Sequence, residues 1–407
     1  MKNKTVCVIG MGYIGLPTAT ILADCGYSVY GIDNNNDVVE HLKKGRIHIN
    51  EPKLDELFKK VIKNGSLTID KKIKPSDIYL ICVPTPLSEG NTPQPDLSYV
   101  FDATNQISVH VKSGDIVILE STSPVGTTEI LYESLTEDNI ASFSMGYCPE
   151  RVMPGNIIEE LVSNARVVGG VNNQSTTIIS EFYKSFVKSE IHPTDSKTAE
   201  MCKLVENSFR DVNIAFANEI SLVCQNYDIN PGELISLANR HPRVNILNPG
   251  IGVGGHCIAV DPWFLISSNT ESARLMKQAR ETNLYKTQNV IKMIKKYISD
   301  YEELNYKKPR IAFFGLSYKP DSDDLRCSPA LDIVESISEF TNTLVVEPNI
   351  DKHDKFELFD GDYARKNSDL CVFLVSHSIF LREFTDLVFE GCKILDFCGV
   401  TNEAADI

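Results

Sequence analysis

The sequence predicts an α/β protein: two doubly wound domains joined by a long central helix. Three observations lead there. Short β-branched runs alternate with helical patterns over residues 1–195, as a parallel sheet with crossover helices requires. From Ser196 to Tyr227 there is no Pro or Gly, and apolar residues recur at helical spacing. After the Asn305–Pro309 linker the α/β alternation restarts. A chain of 407 residues also exceeds what one core usually organises. The expected division is 1–195, 196–305 and 306–407.

In the first domain, strands are expected at Thr5–Ile9, Ser28–Ile32, Asp77–Val83, Asp115–Glu120 and Phe143–Tyr147. Helices are expected at Ile14–Cys25, Asn36–Lys43, Leu54–Asn64 and Ser98–Ser108. In the middle domain Met201, Leu204, Val205, Phe209, Val212, Ile214, Phe216 and Ile220 mark one long helix. Its surplus apolar surface predicts a homodimer through this central helix. Helical patterns return at Gly232–Asn239 and Ser272–Tyr301, on either side of a Gly/Pro-rich loop. The last domain should carry strands at Arg310–Phe314, Thr343–Glu347, Leu370–Val375 and Lys393–Asp396, and a helix near Pro329–Phe340.

Composition narrows the function. At 42% hydrophobic and 23% charged residues, this is an ordinary globular composition. A formal net charge of -15 opposes nucleic acid and anionic membranes as partners, but a few focused cations can still hold an anionic small molecule. The 11 cysteines show no CxxC pairs and no zinc spacing, so no metal is expected and the thiols read as reduced, in a cytoplasmic enzyme. Lys2 and Lys4 before the apolar run Val6–Ala23 imitate a signal peptide, yet Pro17 and three glycines interrupt that run. No segment is long and apolar enough to span a bilayer.

Gly10-x-Gly12-x-x-Gly15, with Tyr13 and Ile14 between the last two glycines, follows the first strand and opens the first helix. Glycines there permit a tight turn, close approach of a pyrophosphate, and helix–strand packing. Asp33 ends the second strand about twenty residues on, where a carboxylate binds ribose hydroxyls and repels a 2′-phosphate. Asn34 to Asn36, which follow it, include no Arg to receive that phosphate, so the cofactor is read as NAD rather than NADP. Two loops at strand carboxyl ends, with Thr85 in one and Thr122 and Thr128 in the other, suit a wall for the nicotinamide ribose.

The stretch Asn248–Pro262 places four glycines in the six positions 250–255, just before Cys257 and Asp261. Such glycines cost chain entropy and make sense where backbone hugs a ligand. Cys257 is then presented to a site rather than buried. On the long helix Glu200, Lys203, Asn207 and Arg210 share one face, and apolar neighbours suggest that this stripe is enclosed.

With these residues assembled, the whole chain resembles the UDP-glucose/GDP-mannose dehydrogenase family, and within it the branch acting on UDP-N-acetyl-D-mannosamine. The resemblance rests on Gly-Gly-x-Cys-x-x-x-Asp at 254–261 and Cys-Lys-Leu-x-Glu-Asn at 202–207. Cys-Pro-Glu-Arg-Val at 148–152 and Tyr-Lys-Pro-x-x-x-Asp-x-Arg at 318–326 add to it. It implies a Rossmann-like NAD domain, a dimerising central helix, and a C-terminal α/β domain for the UDP moiety. It also implies a four-electron oxidation at C6 of the sugar through a thiohemiacetal and a thioester on Cys257. Lys203 then stabilises the oxyanion, Asn207 adds a hydrogen bond, and Asp261 or Glu150 orients water. The implied substrate contacts are Arg151, Val152, Lys203, Asn207, Arg210, His241, Arg243, the loop ending at Gly254, Tyr318 and Lys319, with Arg326 on the cofactor. Pro154 and Val260 depart from the UDP-glucose pattern and favour an N-acetylhexosamine, for polysaccharide or capsule precursors. The alternatives are the same chemistry on UDP-N-acetylglucosamine or UDP-glucose, a two-electron hydroxyacid dehydrogenase, and an NAD-binding redox sensor.

Overall fold

The alternation in the first 195 residues becomes one eight-stranded sheet in the structure, a computed structural model that describes residues 4–90, 93–137, 142–153, 155–385 and 392–401. Contacts divide the chain into two units. Met1–Glu206 with Trp263–Ser268 form the first, and Asn207–Pro262 with Asn269–Ile407 the second.

The first unit opens with β1 (Thr5–Ile9), α1 (Gly15–Asp24), β2 (Ser28–Ile32), α2 (Asn36–Lys43), α3 (Leu54–Lys63), β3 (Leu67–Asp70) and β4 (Ile78–Ile81). It continues with α4 (Ser98–Ser108), β5 (Ile116–Leu119), α5 (Thr127–Glu137), β6 (Ser144–Tyr147) and α6 (Ile157–Ser163). β7 (Arg166–Gly170), α7 (Asn173–Lys184) and β8 (Ile191–Asp195) complete it. The sheet order is β3-β2-β1-β4-β5-β6-β7-β8, parallel except between β6 and β7. β4 (IYLI) and β5 (IVIL) are buried at every position, as central parallel strands covered on both faces must be. β3, β7 and β8 are not among the expected strands. β7 begins with Arg166 and ends in two glycines, and β8 contains Pro193, which only an edge strand tolerates.

The long helix is present as α8 (Ser196–Gln225), 30 residues. Asp195 caps it, accepting Thr198 N at 2.9 Å and Thr198 Oγ1 at 2.7 Å. Those bonds hold the Asp195 carboxyl below its usual range. The division between units falls within this helix, after Glu206.

Beyond it come α9 (Pro231–Ala238), α10 (Asp261–Ser268), α11 (Arg274–Asn305), β9 (Ile311–Phe314), α12 (Pro329–Ser338) and β10 (Thr343–Val346). α13 (Gly361–Lys366), β11 (Leu370–Phe373), α14 (Ser378–Phe384) and β12 (Lys393–Asp396) follow. The second sheet is parallel throughout, in the order β10-β9-β11-β12. One of its faces packs Phe313 and Val372 against Val290, Ile294 and Val334, and the other stacks Phe314 on Phe373 beside Phe380 and Phe384. Between α8 and α11 the second unit is polar inside. Asp211 takes Arg280 Nη1 at 2.6 Å and Asn283 Nδ2 at 2.8 Å, and Lys286 Nζ reaches Ser221 Oγ at 2.7 Å. Burial lowers the Lys286 ammonium to about 8. Among the described residues no helix is long and apolar enough to cross a membrane.

Candidate active site

The glycine turn of the first unit is built to receive a dinucleotide. Gly10 sits at φ +94, its N–H donating to Ile32 O at 2.8 Å, and a Cβ there would lie 2.5 Å from Cys82 O. A Cβ on Gly12 would meet nothing within 4 Å, so its absence keeps the approach to α1 open. The first turn of α1 has no side-chain cap. Asp33, just past β2, accepts Met11 N on Oδ2 and Asn35 N on Oδ1, both at 2.9 Å. Turn and carboxylate lie where the strand order reverses between β1 and β4, the usual crevice of such sheets. Tyr13 and Ile14 are half-buried in the same turn. These residues fit NAD, which the backbone of 10–15 would hold by its pyrophosphate and Asp33 by its ribose.

Thr85 and Thr122 are half-buried in loops tied together by Ser121 Oγ, which donates to Val83 O at 2.7 Å. Thr128, expected at the cofactor, is instead fully buried. Its N–H and Oγ1 both donate to Glu200 Oε1, at 2.8 and 2.6 Å, and Gly126 N donates to Oε2 at 2.6 Å. Burial raises the Glu200 carboxyl although these bonds oppose it. Glu200 therefore fixes the loop that carries Thr122. Its place on the polar stripe of the helix was legible, but its partners were not.

Three residues later on the helix, Lys203 Nζ donates to the backbone carbonyl of Glu150 at 2.9 Å. The Glu150 carboxylate is itself committed. Oε2 takes Arg166 Nη1 at 2.5 Å, and Oε1 takes Arg151 N at 2.6 Å. The Arg151 guanidinium forks onto Glu206, while Val152 packs on the core of the first unit. Pro154 lies outside the described residues.

In the second unit the glycine loop delivers Cys257, half-buried, to the start of α10. Val260 N and Asp261 N both donate to Cys257 O, at 3.0 and 2.8 Å. The Asp261 carboxylate is 3% exposed and takes Asn207 Nδ2 at 2.5 Å. Cys257, Asp261 and Asn207 are thus brought together. The loop is pinned from behind. Gly250 N donates to Asn218 Oδ1 at 2.8 Å, and Thr287 Oγ1 donates to Ile251 O at 2.8 Å. Two of the glycines also serve the protein's own packing, because a Cβ on Gly254 or Gly255 would lie 2.4 Å from Cys327 O or 2.7 Å from the Tyr318 ring.

Tyr318 and Lys319 are half-buried in the loop after β9. Arg326, expected at the cofactor, forks onto Asp324 within its own loop, through Nε at 2.8 Å and Nη2 at 2.6 Å. Arg210, His241 and Arg243 are exposed on this chain, so the helix stripe is enclosed at Glu200 and Asn207 but open at Arg210.

Comparison with known proteins places the whole chain in one family. Three domain signatures of the UDP-glucose/GDP-mannose dehydrogenase family match the chain: the NAD binding domain over 4–187, the central domain over 197–285 and the UDP binding domain over 312–403. The UDP-N-acetyl-D-mannosamine dehydrogenase of Campylobacter jejuni is 46% identical over 96% of this chain and 99% of that protein. The NDP-N-acetyl-D-galactosaminuronic acid dehydrogenase of Ralstonia nicotianae is 45% identical over 98% of this chain and 96% of that one. The solved UDP-N-acetyl-D-mannosamine dehydrogenase of Pyrococcus horikoshii superposes with a TM-score of 0.88, at 37% identity over 98% of this chain and 97% of its own.

Proposed function

Because this chain belongs to the UDP-glucose/GDP-mannose dehydrogenase family, we propose that it oxidises UDP-N-acetyl-D-mannosamine at C6 to UDP-N-acetyl-D-mannosaminuronate. The observation that carries this reading is the Cys257–Asp261–Asn207 cluster at the end of the glycine loop, since a two-electron alcohol dehydrogenase has no use for a thiol there. Residues 1–195 hold the cofactor, 196–305 present the thiol and the dimer surface, and 306–407 hold the UDP moiety. NAD, when bound, supplies the acceptor for a hydride from C6 in each of two oxidations. Cys257 as thiolate adds its sulfur to the C6 aldehyde, and the aldehyde oxygen becomes an oxyanion that the Lys203 ammonium stabilises. Loss of the second hydride leaves a thioester on Cys257. Water oriented by Asp261 attacks that carbon, the C–S bond breaks, and a carboxylate is formed and the thiolate regenerated with release of two protons. The Asn207 amide, bonded to Asp261, fixes the orientation of that carboxylate.

The sugar is tested by counting NADH formed per molecule consumed, with UDP-N-acetylmannosamine, UDP-N-acetylgalactosamine, UDP-N-acetylglucosamine and UDP-glucose offered in turn. The galactosamine arm is included because relatives of near-equal similarity carry either name. Two NADH per sugar is expected, with the highest kcat/KM for the mannosamine. One NADH per sugar overturns the four-electron reading, and a preference for another sugar moves the assignment within the family.

The chain is further proposed to act as a homodimer in the cytoplasm. None of its cysteines forms a disulfide, which supports a reducing compartment. On α8, Phe209, Phe216 and Val223 recur every seven residues at 67%, 52% and 46% exposure, an apolar row that a second copy would cover. Sedimentation should give the mass of two chains, reduced to one in Phe209→Glu/Phe216→Glu. A wild-type monomer at micromolar concentration removes the dimer.

A further inference from the structure

The second sheet repeats the turn of the first, residue for residue. Ile9 pairs with Ile32 at the ends of β1 and β2, and Phe314 pairs with Val346 at the ends of β9 and β10. The next residue is a glycine in each case, Gly10 at φ +94 and Gly315 at φ +97. Each glycine N–H donates across to the neighbouring strand, to Ile32 O and to Val346 O, at 2.8 Å. A carboxylate follows each second strand. Asp33 takes Met11 N and Asn35 N, and Glu347 takes Leu316 N at 2.7 Å and Asn349 N at 3.0 Å.

The two turns differ in what else reaches the acid. Asp33 is half-buried, and its device is left for a ribose. Glu347 is 4% exposed and takes further donors, Ser317 N at 3.2 Å and Asn349 Nδ2 at 3.1 Å, while His377 Nε2 lies 3.2 Å from Oε2. His377 is fully buried, and its Nδ1 accepts Asp321 N at 2.9 Å with Asn349 Nδ2 also at 2.9 Å. With Nδ1 an acceptor, the ring is the neutral tautomer that donates from Nε2 to Glu347. The acid that binds a nucleotide in the first unit is therefore plugged in the second, and its acceptors are spent on the backbone of the following loop.

That loop is fastened at both ends. Glu347 holds Leu316 and Ser317, and Ser317 Oγ donates to Lys319 O at 2.7 Å. At the far end Asp321 stands at φ +53, a left-handed conformation costly for a non-glycine residue. It is kept there by His377 on its N–H and by Ser378, whose N–H and Oγ donate to its carboxylate at 2.9 and 2.5 Å. Tyr318 and Lys319 lie between the two fastenings, with the Tyr318 ring against Gly255. We propose that Glu347, His377 and Asp321 are positioning residues that set Tyr318 and Lys319 for the nucleotide sugar. This rests on the reading of those two residues as substrate contacts.

The test is a KM-against-kcat split in the full-length enzyme with UDP-N-acetylmannosamine, for Asp321→Ala, Asp321→Asn, His377→Phe and Lys319→Ala. The Asp321 side chain is 52% exposed, so its variants keep the core intact even where His377→Phe weakens it. Asp321→Ala and His377→Phe should raise the sugar KM about tenfold, with kcat within about twofold and NAD affinity unchanged, as loosened positioning does. Asp321→Asn, which tolerates the left-handed conformation and keeps an acceptor for Ser378, should stay near wild type. A wild-type sugar KM in Asp321→Ala and in folded His377→Phe, beside a raised KM in Lys319→Ala, overturns the inference alone. An unchanged KM in Lys319→Ala as well removes the substrate reading, and the inference falls with it.

Discussion

Cys257→Ser is expected to cut uronate formation by on the order of 10³-fold or more, because a serine hydroxyl ionises far above neutral pH and is a weak nucleophile without a base of its own. The substitution is nearly isosteric. It leaves the bonds from Val260 N and Asp261 N to the residue 257 carbonyl in place, so the loop should keep its shape. It also leaves untouched the glycine turn proposed to receive NAD, where Asp33 takes Met11 N, and cofactor affinity should not move. What remains is the first hydride transfer. A single-turnover experiment should therefore show at most one NADH per enzyme-bound sugar, with aldehyde rather than carboxylate recovered by mass spectrometry. Uronate formation within about tenfold of wild type would exclude a covalent sulfur intermediate and return the thiol to a packing role.

The parts of this site that were legible in the sequence are those whose chemistry demands a fixed local spelling. A dinucleotide turn needs glycine where φ is positive and where a strand backbone approaches, and Gly10 shows both constraints. Cys257 and Asp261 are joined by a turn closed on one carbonyl, so their spacing survives in any chain that uses it. What stayed hidden are the groups that act on those residues from far along the chain. Glu200 meets Thr128 across 72 positions, Arg166 meets Glu150 across 16, and Glu347 meets Leu316 across 31. No local pattern distinguishes such a carboxylate from one on a solvated helix face or at a strand end. The same limit explains Thr128. Its hydroxyl is beside the cofactor loop in sequence, yet a carboxylate from α8 claims it. Edge strands were lost for another reason, since burial asks for few apolar residues there: β3 leaves Thr68 exposed and ends on Asp70, and β8 carries His192 and Pro193.

Arg166→Met should destabilise the first unit by about 3–5 kcal/mol in urea unfolding, the scale for leaving a buried charge without its partner. Arg166 is 2% exposed and Glu150 6%, and their pair is joined at 2.5 Å. Arg166 also donates Nη2 to Leu161 O at 3.1 Å, and its guanidinium lies 5.7 Å from the Tyr183 ring centre. A second carboxylate depends on it. Burial raises the Glu120 carboxyl while the Arg166 charge draws it back down, and Glu120 in turn accepts Tyr183 Oη at 2.5 Å and Cys82 Sγ at 3.2 Å. Removing one cation thus strands two buried acids. Glu150→Gln/Arg166→Met should be more stable than Arg166→Met alone, because the orphaned Glu150 charge goes with its partner. The same variants separate two roles for Glu150. If its carboxylate orients the hydrolytic water, Glu150→Gln slows thioester hydrolysis and lets the acyl-enzyme accumulate, with little change in the unfolding midpoint. If it anchors the loop whose carbonyl holds Lys203 Nζ, Glu150→Gln loses stability and slows both oxidations together. The committed geometry of that carboxylate, one oxygen on Arg166 and the other on Arg151 N, favours the second outcome.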